Sequence, residues 1–572
     1  MELNDKTKVM CFGNDQITLN ITMNGKLLEQ VHFYKFVGLI VDEQLKFDLH
    51  TGCACGKANS ALNKASVLLK GRYGLSIDVA INLYKGMMRA HLEYVAAVWM
   101  YKSSSILKDI QKMQQKCLKK LCGAFMSSSG DAIEAITGVF PIDLRLQKLC
   151  RREWIRIKAL KSNHPLRTML DEACHQKGSV TPLSYLKHCC RKLERNMLSR
   201  SLTVREHQPM IPELITESQS FQSIDIFEGH IGNSKNRSQA QKDMALTQIN
   251  MFLNNKLGTN LLVFTDGSAM GQSFGYGGCG VVIVPPEQGE VKVFSKFVGK
   301  LTENVECEVE GIVLALVEAL RFYKESGIVN DCCYIFSDCE SAIDIFVNQN
   351  DVQKWSCPLR RSWLLNKQLS ELGVSVKLGW VPGHCGVTYN EMADQAAKQG
   401  CSLSENAESS ECLSYSTLSK WIEDVLKQEW QERWLRCETG IFTKEIIPEV
   451  PARIKIPTNR NMGISMVRCL LDNAAVANNL HKMKLTDDPD CDCGKDRQTV
   501  EHILLHCEKY MVERLRLKTK IGDIWLDSKK SGNLNFDMKL LLNPFYSKLG
   551  LVDSQKVAEE FENFMQDINF KF

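Results

Sequence analysis

The stretch "LLVFTDGS" at 261–268 is the clearest indication of the fold in the middle of this 572-residue chain. Its apolar run predicts a buried strand that runs into a turn, with Asp266 at the end and Gly267 permitting close approach of another group. The glycine-rich "GYGGCGVVIVPP" at 275–286 predicts a returning strand, and "VKVFSKFVG" at 291–299 predicts a third. We therefore expect an antiparallel meander of three strands.

A helix is predicted after the meander, because apolar residues recur at spacings of three and four. These residues are Val309, Ile312, Val313, Leu316 and Leu320. Glu308 lies at the start of this helix, at the edge of its buried face. Two more strands, "DCCYIFSD" ending in Asp338 and "VSVKLGWVPG" at 374–383, precede a final helix that carries Asp394. The order βββαβαβα predicts a mixed α/β sheet.

Such a sheet brings strand ends and one helix start together, so Asp266, Glu308 and Asp338 are expected to converge, with Asp394 joining from the last helix. Crowded carboxylates raise one another's pKa unless cations neutralise them. Oxygen ligands favour hard divalent cations, Mg²⁺ above all. Taken singly, Asp266 suits a turn, Glu308 a helix cap and Asp394 a solvated helix face. Their joint occurrence in this order favours a metal site.

Residues 259–401 resemble a type 1 ribonuclease H, which cuts the RNA strand of an RNA:DNA hybrid. The resemblance implies that Asp266, Glu308, Asp338 and Asp394 are catalytic carboxylates that bind two Mg²⁺ or Mn²⁺ ions. Glu308 is preferred to Glu310 because the family pattern places Ala-Leu seven and eight residues after its glutamate, as "AL" stands at 315–316 here.

Three further positions follow from the same resemblance. His384, in "VPGHCG" at 381–386, matches a histidine of a mobile loop that assists proton transfer or product release. Asn304 matches an asparagine that approaches the RNA 2′-hydroxyl, the group that distinguishes RNA from DNA. Glu340 stands where cellular members often carry an amide, and its charge would repel phosphate. By itself, His384 would more often be an ordinary surface histidine.

The composition of the chain is that of a globular protein with about three domains, at the usual ~100 to 200 residues per domain. The net charge of +4, from 71 basic and 67 acidic residues, is too small to indicate nucleic acid, so only local clusters can do so. The 23 cysteines follow a charged start, "MELNDKTKVM", with no apolar signal segment, which favours an intracellular, reducing setting, nuclear or cytoplasmic. No apolar run approaches the ~18 residues of a membrane span. The oligomeric state stays open.

The predicted organisation is a multidomain α/β protein in which the central sheet lies between two mainly helical regions. The first also has short strands, such as "QITLNITMNGKLL" and "VHFYKFVGLIVD". Polar, serine-rich stretches predict the linkers. The expected bounds are 1–215 for the first helical region, 216–258 for a linker, 259–401 for the ribonuclease H domain, 402–412 for a second linker, and 413–572 for the C-terminal helical region.

A basic helix is predicted in the first region, at "SILKDIQKMQQKCLKKLCG", with Gly123 as its terminator. Its apolar stripe consists of Ile106, Ile110, Met113, Cys117 and Leu121. Lys108, Lys112, Lys116 and Lys120 recur along a neighbouring face, and a second basic helix, "LRLQKLCRREWIRIKALK", follows. The lysines suit either a solvated face or contact with nucleic-acid phosphates, and both interpretations stay open.

The first region also resembles the part just downstream of the polymerase core in reverse transcriptases of non-LTR retrotransposons. The phrases "KTKVMCF", "VHFYKFVGLIVDEQLKFDLH" and "LYKGMMRAHLEYVAAVW" carry this resemblance, which implies the end of the palm and a thumb-like connection. Nothing in the chain matches the paired-aspartate polymerase motif. The fingers and most of the palm would therefore precede Met1, and we expect no DNA polymerase activity.

A cysteine and histidine motif lies in the C-terminal region, at "CDCGKDRQTVEHILLHC". Its spacing, C-x-C-x8-H-x4-C over 491–507, predicts a structural Zn²⁺ site at Cys491, Cys493, His502 and Cys507. Similar segments follow the ribonuclease H domain in retroelement polyproteins. His506 competes as a ligand, and a small apolar core with reduced thiols is the alternative interpretation. Trp421, Trp430 and Trp434, in an earlier amphipathic helix, are expected to pack in a core.

The leading hypothesis is a fragment of a non-LTR retrotransposon polyprotein whose activity is metal-dependent cleavage of RNA in RNA:DNA hybrids. The products would be a 3′-hydroxyl and a 5′-phosphate. A second hypothesis is a non-catalytic nucleic-acid-binding remnant of such an element. A third is an integrase or resolvase with the same strand order, against which the four acids and "VPGHCG" argue.

Overall fold

The computed structural model describes most of the chain. The described residues are 7–13, 17–23, 25–69, 74–101, 104–173, 180–198, 202–204, 221–227, 238–270, 275–286, 289–327, 332–347, 357–403, 411–413, 415–452, 454–528, 530, 532, 534–569 and 572.

Two compact units make up the chain. The terminal unit comprises Met1–Glu153, Ala173–Cys189 and Trp421–Phe572, and the sheet unit comprises Trp154–Glu172 and Cys190–Lys420. The terminal unit thus combines residues from both ends of the chain. The five domain bounds expected from the sequence remain a prediction.

The N-terminal part of the chain begins with short strands and continues as helices. The strands are β1 Lys8–Val9, β2 Thr22–Met23, β3 Lys26–Leu27, β4 Glu29–Gln30, β5 Phe33–Phe36 and β6 Leu39–Asp42. The α-helices are α1 Asp48–Ala65, α2 Ile77–Leu83, α3 Arg89–Leu92, α4 Ala96–Trp99, α5 Ser104–Cys122, α6 Gly130–Thr137, α7 Ile142–Lys158, α8 Pro165–Glu172 and α9 Pro182–Leu198. This mainly helical character agrees with the prediction.

Helix α5 confirms the predicted apolar stripe, since Ile106, Ile110, Met113, Cys117 and Leu121 are all buried. The helix ends where the sequence indicates, because the next residue, Gly123, has a φ of 69°. That left-handed conformation closes many helices, and glycine adopts it without a steric penalty.

The strands of the sheet unit are β7 Leu202–Val204, β8 Gln222–Ile224, β9 Leu261–Met270, β10 Gly275–Val284, β11 Lys292–Thr302, β12 Cys332–Ser337, β13 Ser375–Trp380 and β14 Glu411–Leu413. Six of them form a mixed sheet at the centre of the unit, with the order β11-β10-β9-β12-β13-β8. Strands β9, β10 and β11 are an antiparallel meander, while β12 and β13 run parallel to β9. A separate pair of strands, β7 and β14, is also parallel.

Helices cover both faces of this sheet. They are α10 Gln239–Lys256, α11 Asn304–Ser326, α12 Glu340–Val347, α13 Cys357–Glu371 and α14 Thr388–Ser402. Residues Leu261 and Val263 belong to the core that contains α11, whereas Leu262 and Phe264 belong to the core that contains α10. Strand β9 therefore has an unbroken apolar run because both of its faces are buried.

The observed order confirms the predicted mixed α/β fold and differs in detail. Two helices, α12 and α13, connect β12 to β13, where the sequence predicts one. The predicted linker over 216–258 also contributes the edge strand β8, which pairs with β13, and the helix α10. The polar composition of this stretch gives little sign of these elements in the sequence. Within α10, however, Ile249 and Leu253 lie one turn apart and are buried. Ser238 begins α10 with a capping box that includes Gln241.

The C-terminal part is helical, as expected. Its helices are α15 Tyr415–Arg436, α16 Ile441–Ile446, α17 Arg460–Leu470, α18 Ala477–Lys482, α19 Met511–Asp527, α20 Met538–Leu542 and α21 Leu551–Asp567. Trp430 and Trp434 are buried in a core, as predicted, and Trp421 is half-buried. Arg460 donates hydrogen bonds to the carbonyl oxygens of Leu69, Leu75 and Leu121, which ties the two ends of the chain together.

Among the residues that the structure describes, no helix combines the length and apolar character needed to cross a membrane.

Candidate active site and metal centres

Two aspartates meet where the pairing of two neighbouring parallel strands ends. Thr265 of β9 pairs in register with Ser337 of β12, so the next residues, Asp266 and Asp338, stand side by side. The parallel pairing stops at this point, while β9 continues beside β10. In open α/β sheets, ligands bind at the carboxyl ends of strands at such a point.

Gly267 brings a third carboxylate to the same place. A Cβ atom at this position would lie 2.3 Å from the backbone nitrogen of Glu308, so only glycine lets α11 approach β9 so closely. Carboxylate oxygens of Asp266, Glu308 and Asp338 consequently lie within 4.8 Å of one another. The hydroxyl of Ser337 donates a hydrogen bond to Glu308 Oε2 at 3.4 Å.

The three carboxylates are electrostatically unfavourable as a set of bare anions. Burial is the main cause that raises the pKa of Asp266 and of Glu308, and the charges of the neighbouring carboxylates raise both further. Burial also raises the pKa of Asp338, against which His384 and a hydrogen bond from Asn390 act. A donor set of crowded oxygen anions with raised pKa values suits divalent cations, which would restore the ionised forms.

Helix α14 supplies the fourth carboxylate because β10 is rich in glycine. A Cβ atom on Gly280 would lie 2.3 Å from the carbonyl oxygen of Ala393, so α14 packs directly on the strand backbone. Asp394 follows, and its charge and hydrogen bond are among the causes that raise the pKa of Asp266. Asp394 also forms an ion pair with Lys398 at 2.6 Å.

His384, Glu391 and Asp394 form a second cluster, with one ligand atom of each within 4.8 Å of the others. His384 is exposed in the loop before α14 and has a φ of 55°. The two clusters are connected, since Asp394 acts on Asp266 and His384 acts on Asp338. The structure thus brings all five predicted catalytic residues to one site.

Two residues of this site do not feature in the sequence prediction. Asn390 is 3% exposed and donates a hydrogen bond to the carboxylate of Asp338, while its own Oδ1 has no partner among the described residues. Glu391 joins the second cluster. Both lie three or four residues before Asp394, which is the spacing of one helix face and was the available signal.

The other positions named from the sequence are distributed around the site. Asn304 is exposed at the first turn of α11, one turn before Glu308. Glu310 is not in the carboxylate cluster and forms an ion pair with Lys296 at 2.9 Å. Glu340 is exposed at the start of α12.

The lysines of α5 lie in the terminal unit. Lys108, Lys112, Lys116 and Lys120 are all exposed. Lys116 and Lys120 donate hydrogen bonds to Asn59 and Asn63 of α1, at 2.9 and 3.3 Å. Phosphate contact by α5 remains a proposal.

Cations of the second basic helix, α7, pair with acids. Arg145, Lys148 and Arg151 pair with Glu93, Glu423 and Glu429 at 2.7, 2.5 and 3.1 Å. These cations therefore stabilise the terminal unit, because acids distant in sequence neutralise them. The stretch contains few acids of its own, so the sequence gives no sign of this pairing.

The cysteine and histidine motif converges in the C-terminal part. Ligand atoms of Cys491, Cys493, His502 and Cys507 lie within 4.8 Å of one another, with Cys493 Sγ 3.2 Å from His502 Nε2. His506 is exposed and outside this cluster. Three sulfurs and one imidazole nitrogen are a donor set that fits a tetrahedral metal ion.

Arg514 stabilises the C-terminal end of this motif through buried hydrogen bonds. Its side chain is 5% exposed and donates hydrogen bonds to the carbonyl oxygens of Ile503, Leu504 and Cys507. The chain around the last cysteine is therefore held by one buried guanidinium, and its carbonyl groups are satisfied.

Known proteins share this sequence pattern. The family described as RNase H matches residues 258–402. The ribonuclease H of Pseudoalteromonas translucida is 31% identical over 137 residues, which cover 24% of this chain and 86% of that protein. The RNA-directed DNA polymerase from mobile element jockey of Drosophila funebris is 27% identical over 187 residues, 32% of this chain. A solved RNase H1 from Halobacterium salinarum NRC-1 is 23% identical with a TM-score of 0.18, and covers 25% of this chain and 98% of that one.

The sheet and its cluster of acids define a domain of the ribonuclease H type. The chain belongs to the ribonuclease H family, whose members are hydrolases. The predicted similarity to a non-LTR retrotransposon polyprotein is also confirmed, by the jockey relative. The matching part spans about a fifth (20%) of that relative's length.

Proposed function

We propose that residues 258–402 hydrolyse the RNA strand of RNA:DNA hybrids with the help of divalent cations. The observation that carries this proposal is the convergence of Asp266, Glu308 and Asp338 within 4.8 Å at the opening of the sheet. Family membership supports the reaction class.

The carboxylates of Asp266, Glu308, Asp338 and Asp394 would hold Mg²⁺ or Mn²⁺. Bound there, such cations would supply Lewis-acid chemistry, which lowers the pKa of a bound water and neutralises charge on the leaving oxygen. The carboxylates of Asp266, Asp338 and Glu308 are held in place, because β9, β12 and α11 are all anchored in buried cores. Hydrolysis adds water across one P–O bond and leaves a 3′-hydroxyl and a 5′-phosphate.

His384 and Asn304 would act on the substrate at the edge of the site. The imidazole of His384 is exposed, so it can exchange a proton with water as the leaving oxygen is protonated or the product departs. Asn304 is exposed one turn before Glu308, where its amide can reach an RNA 2′-hydroxyl. This contact would distinguish the RNA strand from DNA.

The test of hydrolysis compares Asp338→Asn with Glu310→Gln. Glu310 is the matched control because it lies on α11, two residues beyond Glu308, but pairs with Lys296 outside the carboxylate cluster. With Mg²⁺ the wild-type chain and Glu310→Gln should cut a labelled hybrid and leave single-stranded RNA intact. Asp338→Asn should lower the rate by at least about 100-fold, the scale of losing one electrostatic contact to the transition state.

Cleavage that survives Asp338→Asn would contradict the site. Hybrid binding that needs no metal and leads to no cleavage would instead favour a non-catalytic nucleic-acid-binding protein. Cutting of a DNA strand would favour an integrase-like enzyme.

We also propose that Cys491, Cys493, His502 and Cys507 bind one structural Zn²⁺ ion. Four protein ligands leave no open position, so this site would stabilise the fold rather than take part in hydrolysis. Purified protein should contain zinc, and Cys491→Ser should lose it while His506→Gln, the exposed control, should retain it. Equal zinc content in the two variants would contradict the ligand set.

The lysine face of α5 would add affinity for nucleic acid without choosing a sequence. Replacing Lys108 and Lys112 by glutamine should weaken binding to a hybrid and make it less dependent on salt concentration, because fewer counterions are released. An unchanged salt dependence would favour an ordinary solvated helix face. As part of a longer retrotransposon protein, the region before the nuclease would serve as the thumb-like connection that the sequence predicts.

A further inference from the structure

The first turn of α11 carries Asn304 and leads to Glu308, so its position sets two groups of the proposed site. Helix starts are usually fixed by a capping side chain that accepts a hydrogen bond from the first turn. Here the residue before the helix is Glu303, and its side chain makes no such bond. The first turn of α11 therefore depends on contacts from other parts of the chain.

Residues beyond the matched ribonuclease H region supply such contacts. The hydroxyl of Thr417, in the first turn of α15, donates a hydrogen bond to Glu306 Oε2 at 2.7 Å. The ammonium group of Lys420 lies 3.6 Å from Glu303 Oε1. The family match ends at residue 402, whereas the sheet unit continues to Lys420. The sheet unit thus includes a segment outside the matched region that contacts the start of α11.

Burial makes the contact of Thr417 the stronger of the two. Thr417 is 1% exposed, and its neighbours Leu413 and Leu418 are buried as well. Leu413 belongs to β14, which contacts β11, the strand that leads into α11. A hydrogen bond from a hydroxyl to a carboxylate is about twice as strong as one between neutral groups. The ion pair of Lys420 contributes less, because this side chain is 47% exposed.

Glu306 connects this contact to the proposed site. It lies two residues after Asn304 and two before Glu308, in the same helix. Successive residues of an α-helix are only about 1.5 Å apart along its axis, so these three are displaced together. A misplacement of about 1 Å in an active site can lower the rate about 100-fold. A hydroxyl that fixes Glu306 therefore also fixes the positions of Asn304 and Glu308.

We propose that Thr417 is a positioning residue for hydrolysis, which holds the first turn of α11 through Glu306. The inference rests on the proposed function, because it assigns Thr417 to the same site. It adds that the segment after the matched region contributes to the activity of the chain. Thr417 acts on Glu308 through Glu306 and supplies no group to the reaction itself.

Hydrogen exchange of the full chain, without divalent cations, is the first test. The backbone amides of Glu306 and Cys307 both donate to the carbonyl oxygen of Glu303, so their exchange reports on the first turn of α11. Thr417→Val removes the hydroxyl at nearly constant volume and should speed this exchange about three- to tenfold. Thr417→Ser keeps the hydroxyl and should exchange like the wild-type chain. Strand β12 is the internal reference, whose exchange should not change.

Calorimetric titration of the full chain with Mn²⁺ is the second test, because Glu308 is one of the proposed ligands. Thr417→Val should weaken Mn²⁺ binding about three- to tenfold, and Thr417→Ser should bind like the wild-type chain. Glu306→Ala removes the acceptor instead and should have the same effect. The double variant should bind no more weakly than either single one, since both changes remove one interaction. Asp266→Asn corrects for Mn²⁺ bound elsewhere in the chain.

Three results would overturn the proposal. Thr417→Val could leave the exchange of the first turn unchanged, or it could speed exchange equally in β12, which is a general loss of stability. Unchanged Mn²⁺ binding despite faster exchange would show that the contact does not reach Glu308. Hybrid cleavage by the wild-type chain is measured separately. Its absence would contradict the proposed hydrolysis, whereas the exchange result would still decide whether Thr417 holds the start of α11.

Discussion

Replacing Asp266 by asparagine should stabilise the metal-free protein while it abolishes hydrolysis. Burial and the charges of Asp338 and Asp394 raise the pKa of Asp266 from 3.8 to about 8. In the unfolded chain the group ionises near its ordinary pKa, so between these two values the folded state binds more protons. Stability is therefore lost as the pH rises through this window.

The magnitude follows from 1.36 kcal/mol for each pKa unit. At pH 7 the shift corresponds to about 4 kcal/mol, and at pH 5 to less than about 2 kcal/mol. An asparagine side chain has nearly the same shape and no charge, but it accepts fewer hydrogen bonds. We therefore expect Asp266→Asn to raise the free energy of unfolding by about 2 to 4 kcal/mol at pH 7, and by less at pH 5.

Urea denaturation followed by circular dichroism measures this, at both pH values, in buffers freed of divalent cations. Glu310→Gln is the control, because its ion pair with Lys296 lies outside the carboxylate cluster and should contribute at most about 1 kcal/mol. Saturating Mg²⁺ should stabilise the wild-type protein more than Asp266→Asn, since only the full ligand set binds it well. A variant no more stable than wild type at pH 7, or the same gain at both pH values, would show that the Asp266 carboxylate does not destabilise the metal-free fold.

Three further predictions concern packing. Gly280→Ala places a methyl group 2.3 Å from the carbonyl oxygen of Ala393, so it should displace α14. We expect a lower melting temperature, a loss of about 1 to 3 kcal/mol in the free energy of unfolding, and slower hybrid cleavage. Full activity would argue against this close contact. Gly522→Ala, inside α19 with open space around it, should raise the free energy of unfolding by about 0.4 to 1 kcal/mol, and a loss would show an unseen constraint. Arg514→Leu should cost about 3 kcal/mol or more in urea titrations and weaken zinc retention, because three carbonyl groups lose their donor; unchanged zinc content would separate Arg514 from the motif.

Much of the site was predictable because its signals are local. Two buried apolar runs that each lead into an aspartate, Asp266 and Asp338, indicate two neighbouring carboxylates. The predicted end of the first strand at Asp266 is wrong, because β9 continues to Met270 beside β10. The choice of Glu308 over Glu310 came from the resemblance alone. The structure places Glu308 in the cluster and pairs Glu310 with Lys296, whose position on β11 no local pattern reveals.

Other features were hidden because their partners are distant in sequence. Strand β8 is three residues long and polar, and it forms only because β13 offers an unpaired edge. In the sequence, the cations of α7 suit contact with phosphate. In the structure, Lys148 and Arg151 pair with Glu423 and Glu429, which lie more than 270 residues further along the chain. Asn390 gains its role only when the fold brings α14 against Asp338.

Residue type and local periodicity are enough to predict the alternation of strands and helices, the order of the four acids and the spacing of the cysteine and histidine motif. They do not show which charges are neutralised, which helix approaches which strand, or that both ends of the chain form one unit. The physical reason is that burial and electrostatic pairing depend on distance in space, which a linear pattern does not specify. Gly280 is an example. The sequence shows that this residue is glycine, but only the close packing of α14, more than 100 residues later, explains why a larger residue would not fit.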